Sequence, residues 1–318
     1  MSLLFACERV LGETPHLSLD RAAANRAVHE APPDLLRLPT WNDPGFLMDR
    51  PEKVVGWLLA YNAVNYCYWP EPGSPRWWTQ VDGRPVGQGD EALGIMVAFA
   101  HQIRRGTALW RGRVLQSVGP DDLGAWLAAA PGAGTLPMLD ERAAGLRELG
   151  AALDAHGGAL GLVDVDTAAA LVERLVTACP SWEDTRGPAL PFRKRAQLCT
   201  GMIIGRLQGQ GPGDLADREA LTAYADYRLP QILQGLGVLT LAPALADHIA
   251  ARRELARGCD EEIALRAATV VAAEWMRQAL VPLWPHVTML EVDHLLWRQA
   301  VARQEELPEF HRTRTTDY

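Results

Sequence analysis

The chain has 318 residues, the length of about two average domains or of one large one. Apolar residues make up 48% and charged residues 22%, ordinary globular usage that excludes disordered and fibrous classes. With 31 Lys and Arg against 39 Asp and Glu, the net charge is −8, a poor basis for holding long nucleic acid by its phosphates. The aromatic set is unusual, with 11 Trp against 6 Tyr and 5 Phe. Trp suits gripping a planar ring as well as filling a core.

In chain order, residues 1–50 read as irregular, punctuated by Pro15, Pro32, Pro33, Pro39 and Pro44 between short helical stretches. Pro51-Glu52-Lys53 then opens a helix with Pro at its start and an acid behind it. Val55, Leu58, Leu59, Ala63 and Tyr66 share one face of it. The stretch 70–89 is the one convincing β candidate. Trp77-Trp78-Thr79-Gln80-Val81 runs into Asp82-Gly83 and a second short run, so a hairpin is expected around 77–88.

Beyond it, 3.6-period apolar faces predict helices over 90–105, 121–130, 140–156, 166–179, 192–208, 228–236, 242–257, 260–283 and 287–305. Several open on Asp and close on Gly or Pro, as helix ends require. No strand–helix alternation appears, no fixed-period repeat, and no long linker follows residue 50. The expectation is a mainly α fold: one helical globule over 1–318 with a small hairpin, and the 1–50 segment packed on it.

Cys7, Cys67, Cys179, Cys199 and Cys259 are scattered and odd in number, without CxxC pairs or zinc spacing, so reduced thiols are expected. The opening stretch carries Glu8 and Arg9 within its short apolar run, unlike a signal peptide. No apolar run approaches the ~20 residues of a membrane span. A cytoplasmic protein away from membranes is expected. Gly209-Gln210-Gly211-Pro212-Gly213 lacks the Lys-Ser/Thr and preceding strand of a phosphate loop, and His156-Gly157-Gly158 reads as a helix stop. There is no G-x-S-x-G, H-E-x-x-H or deaminase signature, hence no positive support for a metal site or serine hydrolysis.

Four clusters combine charge, aromatic rings and helix ends. In Tyr224-Ala225-Asp226-Tyr227-Arg228-Leu229-Pro230-Gln231, Pro230 marks a first helical turn, so Asp226 sits where the positive end of the helix favours a carboxylate. Tyr224 and Tyr227 flank it and Arg228 offers a partner, although on spacing alone an ordinary helix cap is the simpler explanation of such an Asp. Arg193-Lys194-Arg195 puts three cations at a helix start, against the dipole, a placement more natural beside an anion, although a solvated basic turn is the commoner outcome. Asn65-Tyr66-Cys67-Tyr68-Trp69 is a helix end rich in amphipathic rings. In Asp293-His294-Leu295-Leu296-Trp297, Asp293 and Trp297 share one helical face.

In this order the clusters resemble the queuosine salvage family, the queuosine 5′-phosphate N-glycosylases. The resemblance rests on Asn65 to Trp69, Lys194-Arg195-Ala196-Gln197, Tyr224 to Gln231, Asp293 to Trp297 and the tail from Phe310-His311-Arg312 to Tyr318. It runs from about residue 50 to the end. The resemblance implies a helical fold akin to helix-hairpin-helix DNA glycosylases. It also implies cofactor-free hydrolysis of the bond between ribose 5-phosphate and the 7-deazaguanine base queuine, a base used in tRNA modification. By the same resemblance Asp226 is the catalytic residue, Tyr224 lies against the base, Asp293 binds the base and Lys194 meets the phosphate. Arg195, Tyr227, Arg228, Trp69, His294 and Trp297 complete the expected substrate contacts. His294 stands where the family commonly has Tyr, and Arg298 where it commonly has an acid.

The chemistry is consistent. Breaking an N-glycosidic bond passes through an oxocarbenium-like state that a fixed carboxylate stabilises, while the same carboxylate can attack carbon or activate water. A 7-deaza base has no N7 to protonate, so hydrogen bonds elsewhere on the ring must help it leave. Competing readings are a DNA glycosylase that flips a base and a non-catalytic protein that binds the base or nucleotide. The expected partner is a small molecule, with no direct nucleic-acid binding.

Overall fold

Caps and prolines set most helix boundaries in this chain. The computed structural model describes residues 2–31, 36–186 and 190–318; Pro32 and Pro33 lie outside the described residues. The N-terminal segment is more regular than expected. Helix α1 (Leu3–Glu13) is capped by the Ser2 hydroxyl, and α2 (Arg21–His29) by Asp20, whose carboxylate accepts from the Ala22 and Ala23 N–H groups at 2.8 and 3.1 Å. The prolines fall between or after these helices, so they marked connections and not a lack of helix.

Helix α3 (Pro51–Ala63) begins at the expected proline and is buried without a break from Val54 to Ala63, as a central helix must be. Helices α4 (Glu91–Arg104), α5 (Gly112–Gln116), α6 (Pro120–Trp126), α7 (Leu139–Ala155), α8 (Ala159–Leu162) and α9 (Ala168–Ala178) follow. Then come α10 (Lys194–Arg206), α11 (Arg228–Gly235), α12 (Pro243–Ala250), α13 (Asp260–Leu280) and α14 (Met289–Ala302). Short α5 and α8 were not expected, because a turn or so of helix is too brief to display a 3.6-residue period. The chain is mainly helical, with three two-stranded antiparallel sheets among the described residues.

The expected hairpin is β2 (Thr79–Val81) with β3 (Arg84–Val86). Asp82 and Gly83 both take positive φ, 50° and 74°, as a tight hairpin turn demands. The other two sheets correct the expectation of a single β segment. β1 (Leu17–Leu19) pairs with β6 (Leu239–Leu241) across nearly the whole chain, and β4 (Thr185–Arg186) pairs with β5 (Leu190–Pro191). Strands of two or three residues carry too little alternation to be read locally.

One core gathers around Trp57, Leu58, Phe99 and Ile203, and a second around Val28, Ile232, Leu265, Met276 and Leu295. Trp57 is fully buried, whereas Trp284 is 39% exposed, beside Leu283 in the turn after α13. At the end of α3 the buried Arg142 guanidinium donates to the carbonyls of Val64, Tyr66 and Cys67, the last two at 2.6 and 3.0 Å. This holds Cys67 at φ 42°. The C-terminal tail is threaded back across the molecule. Cys67 N–H donates to the Tyr318 carbonyl at 2.9 Å, Leu255 N–H to the Arg312 carbonyl at 2.7 Å, and Arg257 pairs with Asp317 at 2.6 Å. Among the described residues no helix is long and apolar enough to cross a membrane.

Candidate active site

A cavity of about 400 Å³ draws its walls from both cores, from the N-terminal segment and from the tail. That volume suits a small organic ligand. Asp226 stands at the start of α11. One carboxylate oxygen accepts from the Arg228 and Leu229 N–H groups at 2.8 and 3.3 Å, and the other faces the Lys194 ammonium at 3.9 Å. The cap thus uses one oxygen and leaves the other to Lys194 and the cavity. The cation facing Asp226 is Lys194 and not Arg228. The Arg228 guanidinium instead reaches Gln231 at 3.2 Å and lies over the Tyr227 and Phe310 rings.

The three consecutive cations part ways. Arg193, in a left-handed conformation at φ 47°, turns out to Glu173 and Glu183. Lys194, 4% exposed, points into the cavity. Burial pushes its pKa down, with Asp226 and Asp293 opposing that shift. Arg195 is buried away from the cavity, where its guanidinium donates to the carbonyls of Ala63 and Ser181 and lies over Tyr66 and Trp182. It braces α10 and does not line the cavity.

Asp293, on α14, accepts the Tyr224 backbone N–H at 2.8 Å. Burial pushes its carboxyl up to about 7, and the neighbouring Asp226 adds to the rise while the Tyr224 N–H and Lys194 oppose it. Tyr224 brings its hydroxyl against Gly201 of α10, without a hydrogen-bond partner among the described residues. A Cβ at Gly201 would overlap that hydroxyl, so the close approach depends on glycine. His294 stacks with Trp297 at 6.2 Å and tilts against Trp41 at 6.0 Å, which makes one aromatic wall. Burial, with Arg298 and Arg37 nearby, lowers the His294 pKa to about 4, so the ring is neutral near pH 7.

Of the expected residues, Asp226, Tyr224, Asp293, Lys194, Tyr227, Arg228, His294 and Trp297 line the cavity, while Arg195 and Trp69 do not. The reversal at Cys67 turns Asn65 and Tyr68 inward, joined by a 2.8 Å hydrogen bond, and sends Trp69 under the tail, where Arg312 and Arg314 cover its ring. Sequence reasoning missed Trp41, Tyr61, Asp90 and Tyr318 as lining residues. Asp90 caps α4 through the Leu93 N–H at 3.1 Å, so its visible signal was the cap alone. Trp41 packs on Gly205 of α10, a partner far away in sequence. Among the described residues no group of three His, Cys, Asp or Glu side chains gathers as metal ligands would.

A helical chain that gathers several carboxylates, Asp226 and Asp293 among them, with a buried lysine and an aromatic wall in one cavity has the layout of a small-molecule enzyme site. Residues 46–318 match the family model of the queuosine salvage protein, and the chain belongs to that family. A curated relative from Sphaerobacter thermophilus, named queuosine 5′-phosphate N-glycosylase/hydrolase, is 34% identical over all of this chain and 98% of its own length. Proteins of the same name from Dictyostelium discoideum and Mus musculus are each 27% identical. These two span 84% of this chain, and 79% and 82% of their own lengths.

Proposed function

We propose that the chain hydrolyses the N-glycosidic bond of queuosine 5′-phosphate, releasing queuine and ribose 5-phosphate for salvage of the base. Family membership and the relatives' shared name support this reading of it as an N-glycosylase/hydrolase. The single observation that carries the mechanism is the Asp226 carboxylate, fixed by two backbone N–H groups on one oxygen and left to Lys194 and the cavity on the other.

In this mechanism the ribose anomeric carbon lies next to the free Asp226 oxygen. As the bond to the base lengthens, its electron pair leaves with the base and positive charge grows on the sugar. A carboxylate held in place beforehand stabilises that charge without reorganising. Water, oriented by the same carboxylate, then adds to the anomeric carbon, and the proton it loses passes by way of that carboxylate to the base nitrogen that took the electron pair, so queuine leaves neutral. Asp293, in its ionised form, accepts hydrogen bonds from the N–H groups of the base, and Tyr224 with the Trp297–His294 wall packs on its faces. Lys194 neutralises charge at the centre of the site and meets the phosphate end of the substrate. The substrate is a small molecule, and no cofactor enters the scheme.

The test is incubation with queuosine 5′-monophosphate, with free queuine followed by mass. Wild type is expected to release it. Asp226→Asn keeps a cap oxygen for Arg228 and Leu229 and is expected to lose about a hundredfold or more in kcat. Equal release by Asp226→Asn would remove the assigned role.

A further inference from the structure

Lys194 and Asp226 sit on different segments, each delivered to the cavity by a helix start, and α13 runs behind both. From α13 the Arg266 side chain, fully buried, reaches each of these segments. Its Nε donates to the Ala225 carbonyl at 3.1 Å, the residue immediately before Asp226. Its two terminal nitrogens grip both oxygens of the buried Asp184 carboxylate, and Nη1 also meets Glu262 at 3.4 Å. The Asp184 carbonyl in turn accepts the Arg193 N–H at 3.2 Å, just before Lys194. The guanidinium lies over the ring of Phe192, two residues before Lys194, at 4.1 Å, and over the ring of the cavity-lining Tyr318 at 4.5 Å. The Tyr318 hydroxyl closes the ring of contacts by donating to Glu262 at 3.0 Å.

We infer that Arg266 is a positioning residue for hydrolysis: it holds the Asp226 segment and the Lys194 segment in register, and so fixes the one contact between the two side chains. The inference rests on the function proposed above for this cavity, but its geometry does not depend on the substrate. Three features of guanidinium chemistry are all in use here. A planar fork grips a carboxylate on one edge, a separate Nε–H is aimed at a backbone carbonyl, and the flat cation packs on two rings. Lysine supplies charge but not the fork, the third donor direction or the faces. The Lys194–Asp226 separation is 3.9 Å, at the outer limit of an ion pair, so a small slip of either segment breaks it. A displacement of about 1 Å at reacting groups is enough to cost on the order of a hundredfold in rate.

Arg266→Lys is the direct variant, and Asp184→Asn, nearly isosteric, loosens the same clamp while keeping the guanidinium. Each is first checked for folding by its thermal transition. With queuosine 5′-monophosphate, Arg266→Lys is expected to lose about tenfold to a hundredfold in kcat with KM changed by no more than about threefold. Asp184→Asn is expected to show a smaller loss of the same kind. A merely structural weakening lowers the amount of active protein without moving KM or the pH profile. Misplacement of Lys194 also alters the pH dependence of kcat. A crystal structure of Arg266→Lys, or of Asp184→Asn if the first does not fold, reads the pair directly, and Lys194 and Asp226 should then be out of ion-pair reach. An unchanged pair, or a folded variant with wild-type kcat, overturns the assignment. If wild type does not turn over the nucleotide, the function above fails, and the crystallographic distance still decides the role of Arg266.

Discussion

Burial holds the Asp293 carboxyl near neutrality at about 7, whereas 3.8 is its ordinary value. The folded protein therefore keeps a proton there that the unfolded chain has released. The stability this group contributes is complete below about pH 3.8 and is lost as pH rises through about 7. Asp293→Asn retains an oxygen for the Tyr224 N–H and carries no charge to desolvate. Its melting temperature should exceed that of wild type at pH 8 by an amount worth a few kcal/mol, with the gap narrowing towards pH 5. A gap independent of pH would mean that the carboxyl is not titrating between the two. Activity runs the other way, since the ionised form accepts from the base: kcat/KM should fall as pH drops below about 7. Stability and function pull against each other at this residue. From sequence, Asp293 and Trp297 could be placed on one face of a helix, but the charge state could not be read. It depends on Tyr224, Asp226 and Lys194, all distant in the chain.

At the scale of elements, α10 is the helix on which the cavity is built. Its first residue Lys194 enters the site, while Gly201 and Gly205, one turn apart, admit Tyr224 and Trp41 against the backbone. Gly201→Ala improves helix propensity by roughly 1 kcal/mol in principle, yet its Cβ would overlap the Tyr224 hydroxyl in a packed surround that also contains Leu290. The ring has to swing into the cavity. KM for the nucleotide should rise about tenfold or more, with overall folding retained; an unchanged KM would sink the idea that Tyr224 bounds the ligand. The helix itself was legible from its apolar period and its unusual basic start. That three adjacent cations serve three different ends was not legible: Arg193 turns out through a left-handed conformation before the helix begins, and Lys194 and Arg195, about 100° apart around the axis, meet different neighbours.

For the whole molecule, the question is what can reach Asp226. The carboxylate lies inside a walled cavity, with the N-terminal segment on one side and Tyr318 of the tail on another. The net charge is −8, and the cavity's cations are matched or interleaved with Asp90, Glu91, Asp226 and Asp293. A duplex is therefore expected not to bind at low salt, where phosphate attraction is strongest, while the free nucleotide is turned over. Retention of a duplex under those conditions, measured by mobility shift, would favour the base-excision reading. The aromatic excess resolves at this scale as well. Trp57, Trp77 and Trp182 are fully buried structural rings, and Trp41 and Trp297 are the tryptophans that face the cavity.

Local sequence was enough for the helical class, the hairpin at Asp82-Gly83 and most helix boundaries, because caps, prolines and apolar periods act over a few residues. It also placed Asp226 at a helix start and grouped it with Tyr224, Lys194 and Asp293 through a specific string of residues. Which rings face the cavity and which serve as packing was settled by the folded chain. Trp69 and Arg195 turned away while Trp41, Asn65 and Tyr68 turned in, since a single left-handed residue at Cys67 and long-range contacts from Arg142 and Gly205 set those directions. The β1–β6 pairing and the tail across the site belong to the same class of fact. Local chemistry sets what an element is. Contacts between segments far apart in the chain set where its side chains point, and that direction is what makes a site.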